Sequence, residues 1–306
     1  MARPLVIGHR GSPGHLPDHT LEGYALAVEQ GADFIEPDLV STSDGHLIAR
    51  HENDLTHTTD VASKFPDRKV TKEIDGESIT GWFSEDFTLA EIRTLRAVQP
   101  FASRPHDRDG QLGIATFDEI LDLRAALSEK AGRVIGVYPE TKHPSYFRGL
   151  GLPLEERMLE ALASHGLTGP DAPVYVQSFE LANLEAMRTR TEVPFILLVG
   201  DPGATPFGDA RTYGALLSDL PALRRTVQGL GVHKSHVWGP DGPTGLVERA
   251  HAADLLVHVY TFRMEADQRG PAAEGDPRRE LERFYGLGVD GVFADYPDVA
   301  VDVRGP

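Results

Sequence analysis

The sequence predicts a TIM (β/α)8 barrel, an α/β fold in which eight parallel strands alternate with helices. Three observations predict it: a length of 306 residues, eight short aliphatic or β-branched runs, and amphipathic segments between most of these runs. A single barrel domain spanning residues 1–306 is therefore expected. The predicted strands are Leu5–Gly8, Asp33–Leu39, His46–His51, Val134–Glu140, Val174–Ser178, Phe195–Val199, Leu256–Phe262 and Val289–Ala294.

The predicted helices have recognisable ends. Thr20–Gln30 begins at a threonine suited to an N-cap and is followed by Gly31, a residue type common just after a helix. Thr88–Val98 and Thr116–Lys130 each begin with Thr and carry a Glu three residues later, which is the capping-box pattern. The other predicted helices are Leu154–His165, Phe179–Arg190, Tyr213–Gln228, Gly245–Asp254 and Pro277–Leu287.

Two links depart from a regular barrel. Only Val40–Gly45 separates the second and third predicted strands, whereas a parallel crossover needs about a dozen residues. Asp44-Gly45 is typical of a tight turn, so either the barrel is irregular at this short link or one of the two strands is wrongly assigned. Both strands are kept here, and an irregular barrel is expected. The link between the third and fourth predicted strands, 52–133, is far longer than an ordinary loop and predicts an insertion or lid segment.

Composition excludes several classes of protein. The net charge of −17 argues against nucleic-acid binding and against stable association with an anionic membrane. The chain lacks cysteine, which excludes disulfides, thiolate zinc sites and iron–sulfur clusters. No apolar run approaches the ~20 residues of a membrane span, and the first residues lack a secretory apolar segment, so a cytoplasmic location is expected. The oligomeric state stays open.

Three carboxylates lie where a barrel carries its chemistry, at the C-terminal ends of strands. Glu36 and Asp38 share one face of the second predicted strand, since residues i and i+2 point the same way. Glu140, on the fourth predicted strand, supplies a third carboxylate. Such a set needs a counter-charge when buried, and its oxygen ligands favour Mg²⁺ or Ca²⁺. A surface salt-bridge cluster is the alternative.

Two imidazoles and two cations accompany these carboxylates. His9 and His51 end the first and third predicted strands and are suited to general acid and base roles near neutral pH. Arg10 and Lys142 are suited to binding an anionic phosphoryl group. The alternative is that both cations pair with the carboxylates and no metal binds. Phe179, Tyr260 and Phe262 line either a substrate pocket or the core.

These residues, in this order, resemble the glycerophosphodiester phosphodiesterase family. The resemblance rests on an ordered set of motifs over most of the chain: Gly8–Gly11, Pro17–Thr20, Gly31–Asp38, Thr42–Gly45 leading to His51, Tyr138–Lys142, Gln177–Phe179, His258–Thr261 and Gly288–Pro297. Where many members carry Asp after the second catalytic His, this chain has Glu52.

The resemblance implies a function and a set of roles. The expected reaction is metal-dependent hydrolysis of a small-molecule glycerophosphodiester to glycerol 3-phosphate and an alcohol. The expected roles are a catalytic acid–base pair (His9, His51), a divalent-cation site (Glu36, Asp38, Glu140) and phosphate contacts (Arg10, Lys142).

Two rival functions stay open. One is a related phospholipase-type phosphodiesterase, and the other is a barrel that binds phosphodiesters without turning them over. The −17 charge and the lack of a basic amphipathic helix weigh against the first. The presence of two histidines weighs against the second. The preferred alcohol, the identity of the metal ion and the nucleophile, whether water or the substrate's 2-hydroxyl, also stay open.

Overall fold

In the computed structural model, which describes residues 3–305, a sheet of 11 strand segments curls into a barrel. The strands are β1 Leu5–His9, β2 Phe34–Glu36, β3 Asp38–Ser41, β4 Leu47–Ala49, β5 Val70–Ile74, β6 Glu77–Gly81, β7 Gly136–Val137, β8 Glu140–Thr141, β9 Val176–Ser178, β10 Phe195–Val199, β11 Gly229–His233, β12 Trp238–Gly239, β13 Gly242–Pro243, β14 Leu256–Phe262 and β15 Gly291–Ala294. The helices are α1 Leu21–Glu29, α2 Val61–Lys64, α3 Leu89–Ile92, α4 Phe117–Ala131, α5 Pro144–Gly149, α6 Leu154–Ser164, α7 Leu181–Arg188, α8 Tyr213–Leu217, α9 Leu220–Leu223, α10 Lys234–Val237, α11 Leu246–Ala252, α12 Pro277–Gly286 and α13 Pro297–Arg304.

The barrel closes through two strands that proline interrupts. Pro37 separates β2 from β3, and Pro139 lies between β7 and β8. A proline cannot donate to the sheet ladder, so the ladder breaks at these points. The pairing nevertheless continues in parallel on both sides, β2 with β7 and β3 with β8. Because these are two strands in four segments, and β4 lies outside the ring, the 11 segments form eight barrel strands.

The predicted barrel is confirmed, but one of its predicted strands was wrong. His46–His51 does not form a parallel barrel strand; β4 pairs antiparallel with β3, from which the Asp44-Gly45 turn separates it. The irregularity expected at the short second link is therefore a hairpin that extends one barrel strand. Only residues 42–46 lie between β3 and β4, which is enough for a hairpin turn and too short for a crossover.

The missing barrel strand is β11, which sequence patterning did not predict; it directly follows the predicted helix Tyr213–Gln228. The structure divides that helix into α8 and α9. Two glycines in β11 interrupt the run of apolar side chains by which a strand is predicted. Close packing explains why glycine is needed there, since a Cβ on Gly231 would lie 2.6 Å from a methyl carbon of Leu198. The strand pairs in parallel with β10 and β14 and completes the ring.

The long segment 52–133 lies beside the barrel. It carries the antiparallel β5–β6 hairpin and α4, while the predicted helix Thr88–Val98 shortens to α3. Capping boxes occur at both predicted threonines, Thr88 and Thr116. Apolar side chains of the segment, among them Trp82 and Phe87, are buried in the main hydrophobic core. Among residues 3–305, no helix has both the length and the apolarity to cross a bilayer.

Candidate active site

The predicted site residues line one pocket at the C-terminal ends of the barrel strands, except Phe262, which is buried in the hydrophobic core. Its volume is about 250 Å³. The predicted residues in its wall are His9, Arg10, Glu36, Asp38, His51, Glu140, Lys142, Phe179 and Tyr260. The position agrees with the general location of active sites in this fold.

The three carboxylates meet because barrel closure places β3 beside β8. Asp38 pairs directly with Glu140 across the two strands, and Glu36 precedes Pro37 on the same interrupted strand. One oxygen from each carboxylate lies within 4.8 Å of the others, and all three residues are buried. The structure therefore brings together the predicted cluster, on adjacent strands.

Burial and mutual repulsion shift the titration of this cluster. Burial and the Asp38 carboxylate raise the pKa of Glu36 well above its ordinary value. Burial raises the pKa of Glu140 to about 8; Lys142 opposes this shift and Asp38 adds to it. Against the effect of burial, Lys142 and a hydrogen bond from His19 hold the pKa of Asp38 well below its ordinary value. The site therefore holds more carboxylates than its own cations neutralise.

The residues present fit a hard divalent cation. Asp38 Oδ1 is buried and accepts no hydrogen bond from the described residues. Two other oxygens of the cluster are held by neighbouring side chains: His19 Nε2 lies 2.9 Å from Asp38 Oδ2, and Gln177 Nε2 donates to Glu36 Oε1 at 2.9 Å. Hydrogen bonds of this kind commonly orient metal ligands. His19 and Gln177 had no predicted role here, although both lie in the motifs that carried the family resemblance.

The two predicted cations lie against the carboxylates. The left-handed backbone of Arg10, with φ of 56°, lets its N–H donate to Glu36 Oε2 at 2.8 Å, and its Nε lies 3.5 Å from Asp38 Oδ2. Lys142 Nζ lies 2.8 Å from Glu140 Oε1. The ion pairs named as an alternative are thus present, and both cations also line the pocket, where an anion can reach them.

His9 is held by a buried aspartate that sequence patterning did not select. Its Nδ1 lies 2.6 Å from Asp295 Oδ1. Asp295 Oδ2 accepts from Arg104 at 2.5 Å and from Arg263 at 2.9 Å. Against the effect of burial, His9 and the arginines hold the pKa of Asp295 well below its ordinary value. An ionised carboxylate only accepts, so Nδ1 of His9 carries the hydrogen and Nε2 is the free nitrogen.

His51 follows the β4 hairpin strand and reaches the same pocket. Its Nδ1 lies 2.8 Å from Glu52 Oε1. Burial, Arg10 and Lys142 lower the pKa of His51 to about 3. Burial and Arg10 lower the pKa of His9 to about 4. Both imidazoles are therefore neutral at pH 7, and a neutral imidazole can accept a proton.

The far wall of the pocket is aromatic and polar. Phe179 and Tyr260 meet edge to face with ring centroids 6.3 Å apart. Tyr260 Oη donates to the carbonyl of Val199 at 2.7 Å, which fixes the ring. His233 and Arg263 also line this wall. His233 was missed because it ends β11, the strand that patterning did not find.

Sequence comparison identifies relatives along nearly the whole chain. The sequence profile of the glycerophosphoryl diester phosphodiesterase family matches residues 9–299. A glycerophosphodiester phosphodiesterase of Arabidopsis thaliana is 36% identical, over 96% of this chain and 84% of its own length. The glycerophosphodiester phosphodiesterase of Bacillus subtilis is 29% identical, over 99% of this chain and 87% of its own length.

Solved structures share the fold. A crystal structure described as a glycerophosphoryl diester phosphodiesterase of Silicibacter pomeroyi aligns with a TM-score of 0.70 at 22% identity, over 98% of this chain and 92% of that one. A phosphodiesterase of Oleispira antarctica, in complex with the product sn-glycerol-3-phosphate, aligns with a TM-score of 0.67 at 23% identity, over 98% and 96%. With a family match from residue 9 to residue 299, the chain belongs to the glycerophosphoryl diester phosphodiesterase family of enzymes.

Proposed function

We propose that this chain hydrolyses small-molecule glycerophosphodiesters to glycerol 3-phosphate and an alcohol, with a divalent cation, Mg²⁺ or Ca²⁺, as cofactor. The observation that carries the proposal is that two imidazoles, two cations and three clustered carboxylates line one pocket. The Oleispira relative that binds sn-glycerol-3-phosphate supports the choice of substrate. The catalytic unit in this proposal is a single barrel domain over residues 1–306, with an insertion in 52–133.

Glu36, Asp38 and Glu140 would hold the cation. When bound, a divalent cation at these carboxylates polarises a phosphoryl oxygen and offsets negative charge that develops there. Arg10 and Lys142 line the pocket next to the cluster. Their role is to bind the phosphodiester oxygens and to orient the phosphorus between the histidines.

His9 and His51 would divide the two proton transfers. One removes a proton from the nucleophile, and the other protonates the departing alkoxide. The transfer needs one protonated imidazole, whereas both are neutral without substrate, with pKa values of about 4 and about 3. A bound phosphodiester adds negative charge beside them and opposes Arg10 and Lys142, so it raises both pKa values. Asp295 and Glu52 favour the imidazolium on the opposite side of each ring.

Phe179 and Tyr260 would form the wall against the organic part of the substrate. Their edge-to-face contact presents apolar ring surface to the pocket. Such a wall suits the carbon skeleton of glycerol, while the polar groups nearby suit its hydroxyls.

The test is release of glycerol 3-phosphate from glycerophosphocholine, glycerophosphoethanolamine and glycerophosphoglycerol. Protein stripped with EDTA is assayed alone and after addition of Mg²⁺ or Ca²⁺. We expect activity only with an added metal, and loss of that activity in Asp38→Asn. Folded, metal-loaded protein that binds these substrates without cleaving them would replace the proposal with a binding function. Cleavage of phospholipid vesicles in preference to all three would replace it with a phospholipase function.

A further inference from the structure

Asp75 lies at the tip of the β5–β6 hairpin, within the long insertion. The register pairs Ile74 with Glu77, which leaves Asp75-Gly76 as a two-residue turn. The φ angles of these two residues are 49° and 88°, and positive φ at both positions is the requirement of a type I′ turn. The Asp-Gly sequence suits that turn, so the hairpin holds Asp75 in a defined place.

His143 joins this hairpin tip to the barrel. It directly follows Lys142 and precedes α5. Its Nδ1 lies 2.5 Å from Asp75 Oδ2, and its Nε2 lies 2.8 Å from Glu52 Oε2. Both ring nitrogens face carboxylate oxygens, so both donate and the ring is an imidazolium. Consistently, Asp75 and Glu52 overcome the effect of burial and raise the pKa of His143 to about 9.

Glu52 completes the connection, because its two oxygens contact two different imidazoles. Oε2 meets His143 and Oε1 lies 2.8 Å from Nδ1 of His51. A continuous series of polar contacts therefore runs from the hairpin tip to His51. The four residues come from three places in the chain that are distant in sequence. Without His143, only His51 among residues 3–305 would contact the Glu52 carboxylate and hold its orientation.

The orientation of the Glu52 carboxylate affects His51 because the other charges around this imidazole oppose each other. Arg10 and Lys142 lower its pKa, whereas Glu52 and Asp38 raise it. Glu52 is the carboxylate in direct contact with the ring. A Glu52 side chain that turned away would leave the imidazole facing two cations, with neither of its nitrogens fixed. The side chains of Glu52 and His143 are 46% and 21% exposed, and ion pairs with this much solvent contribute little to stability.

We propose that Asp75 and His143 are positioning residues that act through Glu52 to orient His51. The inference rests on the proposed acid–base role of His51. It assigns the insertion a part in the reaction: its hairpin supplies the outermost carboxylate of the series. Neither residue lines the active-site pocket, so their effect is on proton transfer and not on substrate binding.

The test compares kcat with KM in Asp75→Asn and His143→Asn. Asn tolerates positive φ, and the φ angles here are 49° and 47°, so both variants keep the backbone. We expect kcat to fall about tenfold in each, as for other residues that orient an active-site group, with KM and metal affinity unchanged. The double variant should be no slower than His143→Asn alone, because both substitutions break one series of contacts. Glu77→Gln, exposed on the same hairpin, is the control and should leave kcat unchanged.

Two results would overturn the positioning role while the proposed function stands. One is that the wild-type enzyme is active and that kcat of both variants lies within about twofold of the wild-type kcat. The other is a rise in KM together with a lowered melting temperature, which would mean a structural role for the hairpin. Should His143→Asn not fold, Asp75→Asn at the exposed tip decides the question alone. Wild-type enzyme that cleaves no glycerophosphodiester would instead refute the proposed function, and the positioning role with it.

Discussion

Replacing Asp295 by Asn should separate the chemistry of His9 from the stability of the barrel. Asp295 is 1% exposed and contacts three groups: His9 Nδ1 at 2.6 Å, Arg104 at 2.5 Å and Arg263 at 2.9 Å. Asn keeps the shape of the side chain and removes its negative charge. Because Arg104 and Arg263 also need an acceptor, the single amide oxygen of Asn turns toward them and its NH2 toward His9. His9 Nδ1 then faces a donor, which favours the other tautomer, and loses the charge that stabilises its imidazolium.

The expected effect on the rate is large. Loss of the equivalent carboxylate in a serine-protease triad lowers kcat by about 10⁴, and general acid–base catalysis contributes about 10²–10⁴. We therefore expect kcat of Asp295→Asn to fall by about 10²- to 10⁴-fold. Metal affinity should be unchanged, since Asp295 is not one of the clustered carboxylates.

The expected effect on stability is moderate. Breaking a buried ion pair costs about 3–5 kcal/mol when a charge is left without a partner. Here Arg104 keeps Glu265 at 2.6 Å, and Arg263 keeps Gln268 at 2.9 Å. We therefore expect the free energy of unfolding to fall by about 2 kcal/mol, below the range for a fully unpaired charge.

The assay measures glycerol 3-phosphate release and urea unfolding on the same samples, with Asp290→Asn as the matched control. Asp290 lies at the opposite end of β15 and also contacts a histidine, His251, at 2.9 Å. The control should lose some stability and retain kcat. Equal kcat in Asp295→Asn and wild type, or equal losses in both variants, would refute the assigned role of Asp295.

Three further predictions concern metal binding, proton transfer and pH. Mg²⁺ or Ca²⁺ should raise the melting temperature of EDTA-treated protein, because a ligand that binds only the folded state stabilises it. In Glu36→Gln the added metal should no longer raise the melting temperature. An equal rise in the variant and the wild type would contradict the metal site. His51→Ala should lower kcat by about 10²–10⁴ with little change in metal affinity by calorimetry, and full activity would exclude the acid–base role. Because the pKa of His143 is raised to about 9, its ion pairs stabilise the fold fully below about pH 6.5 and lose this effect as the pH rises through 9. Across this window the free energy of unfolding should fall by about 0.5–1 kcal/mol more in the wild type than in His143→Asn, after allowance for solvent. An identical fall in both proteins would contradict the assignment.

The barrel and most of the candidate site could be predicted because they depend on local pattern. The apolar runs show which short segments are buried, and this signal depends only on the residues within each segment. Glu36, Asp38 and Glu140 could be selected together because strand ends share one face of a barrel. The capping boxes at Thr88 and Thr116 likewise depend on residues only three apart.

Strand β11 escaped prediction for a physical reason. Gly229 and Gly231 carry no side chain, so the periodic signal of a buried strand is absent there. Their role is visible only in the closed barrel, where a Cβ on either would collide with side chains of the neighbouring strands. Antiparallel pairing of β4 was equally ambiguous, because the Asp44-Gly45 turn conflicted with a run of strand-forming residues that suited a barrel strand.

The sequence by itself determined seven of the eight barrel strands, the carboxylate cluster and the two candidate histidines. Only the tertiary structure decided which groups hold those histidines. Asp295 reaches His9 from the opposite end of the chain, and Asp75 reaches His51 through His143 and Glu52. Local periodicity carries no information on such partners, because closure of the barrel and docking of the insertion bring together residues that are far apart in the chain.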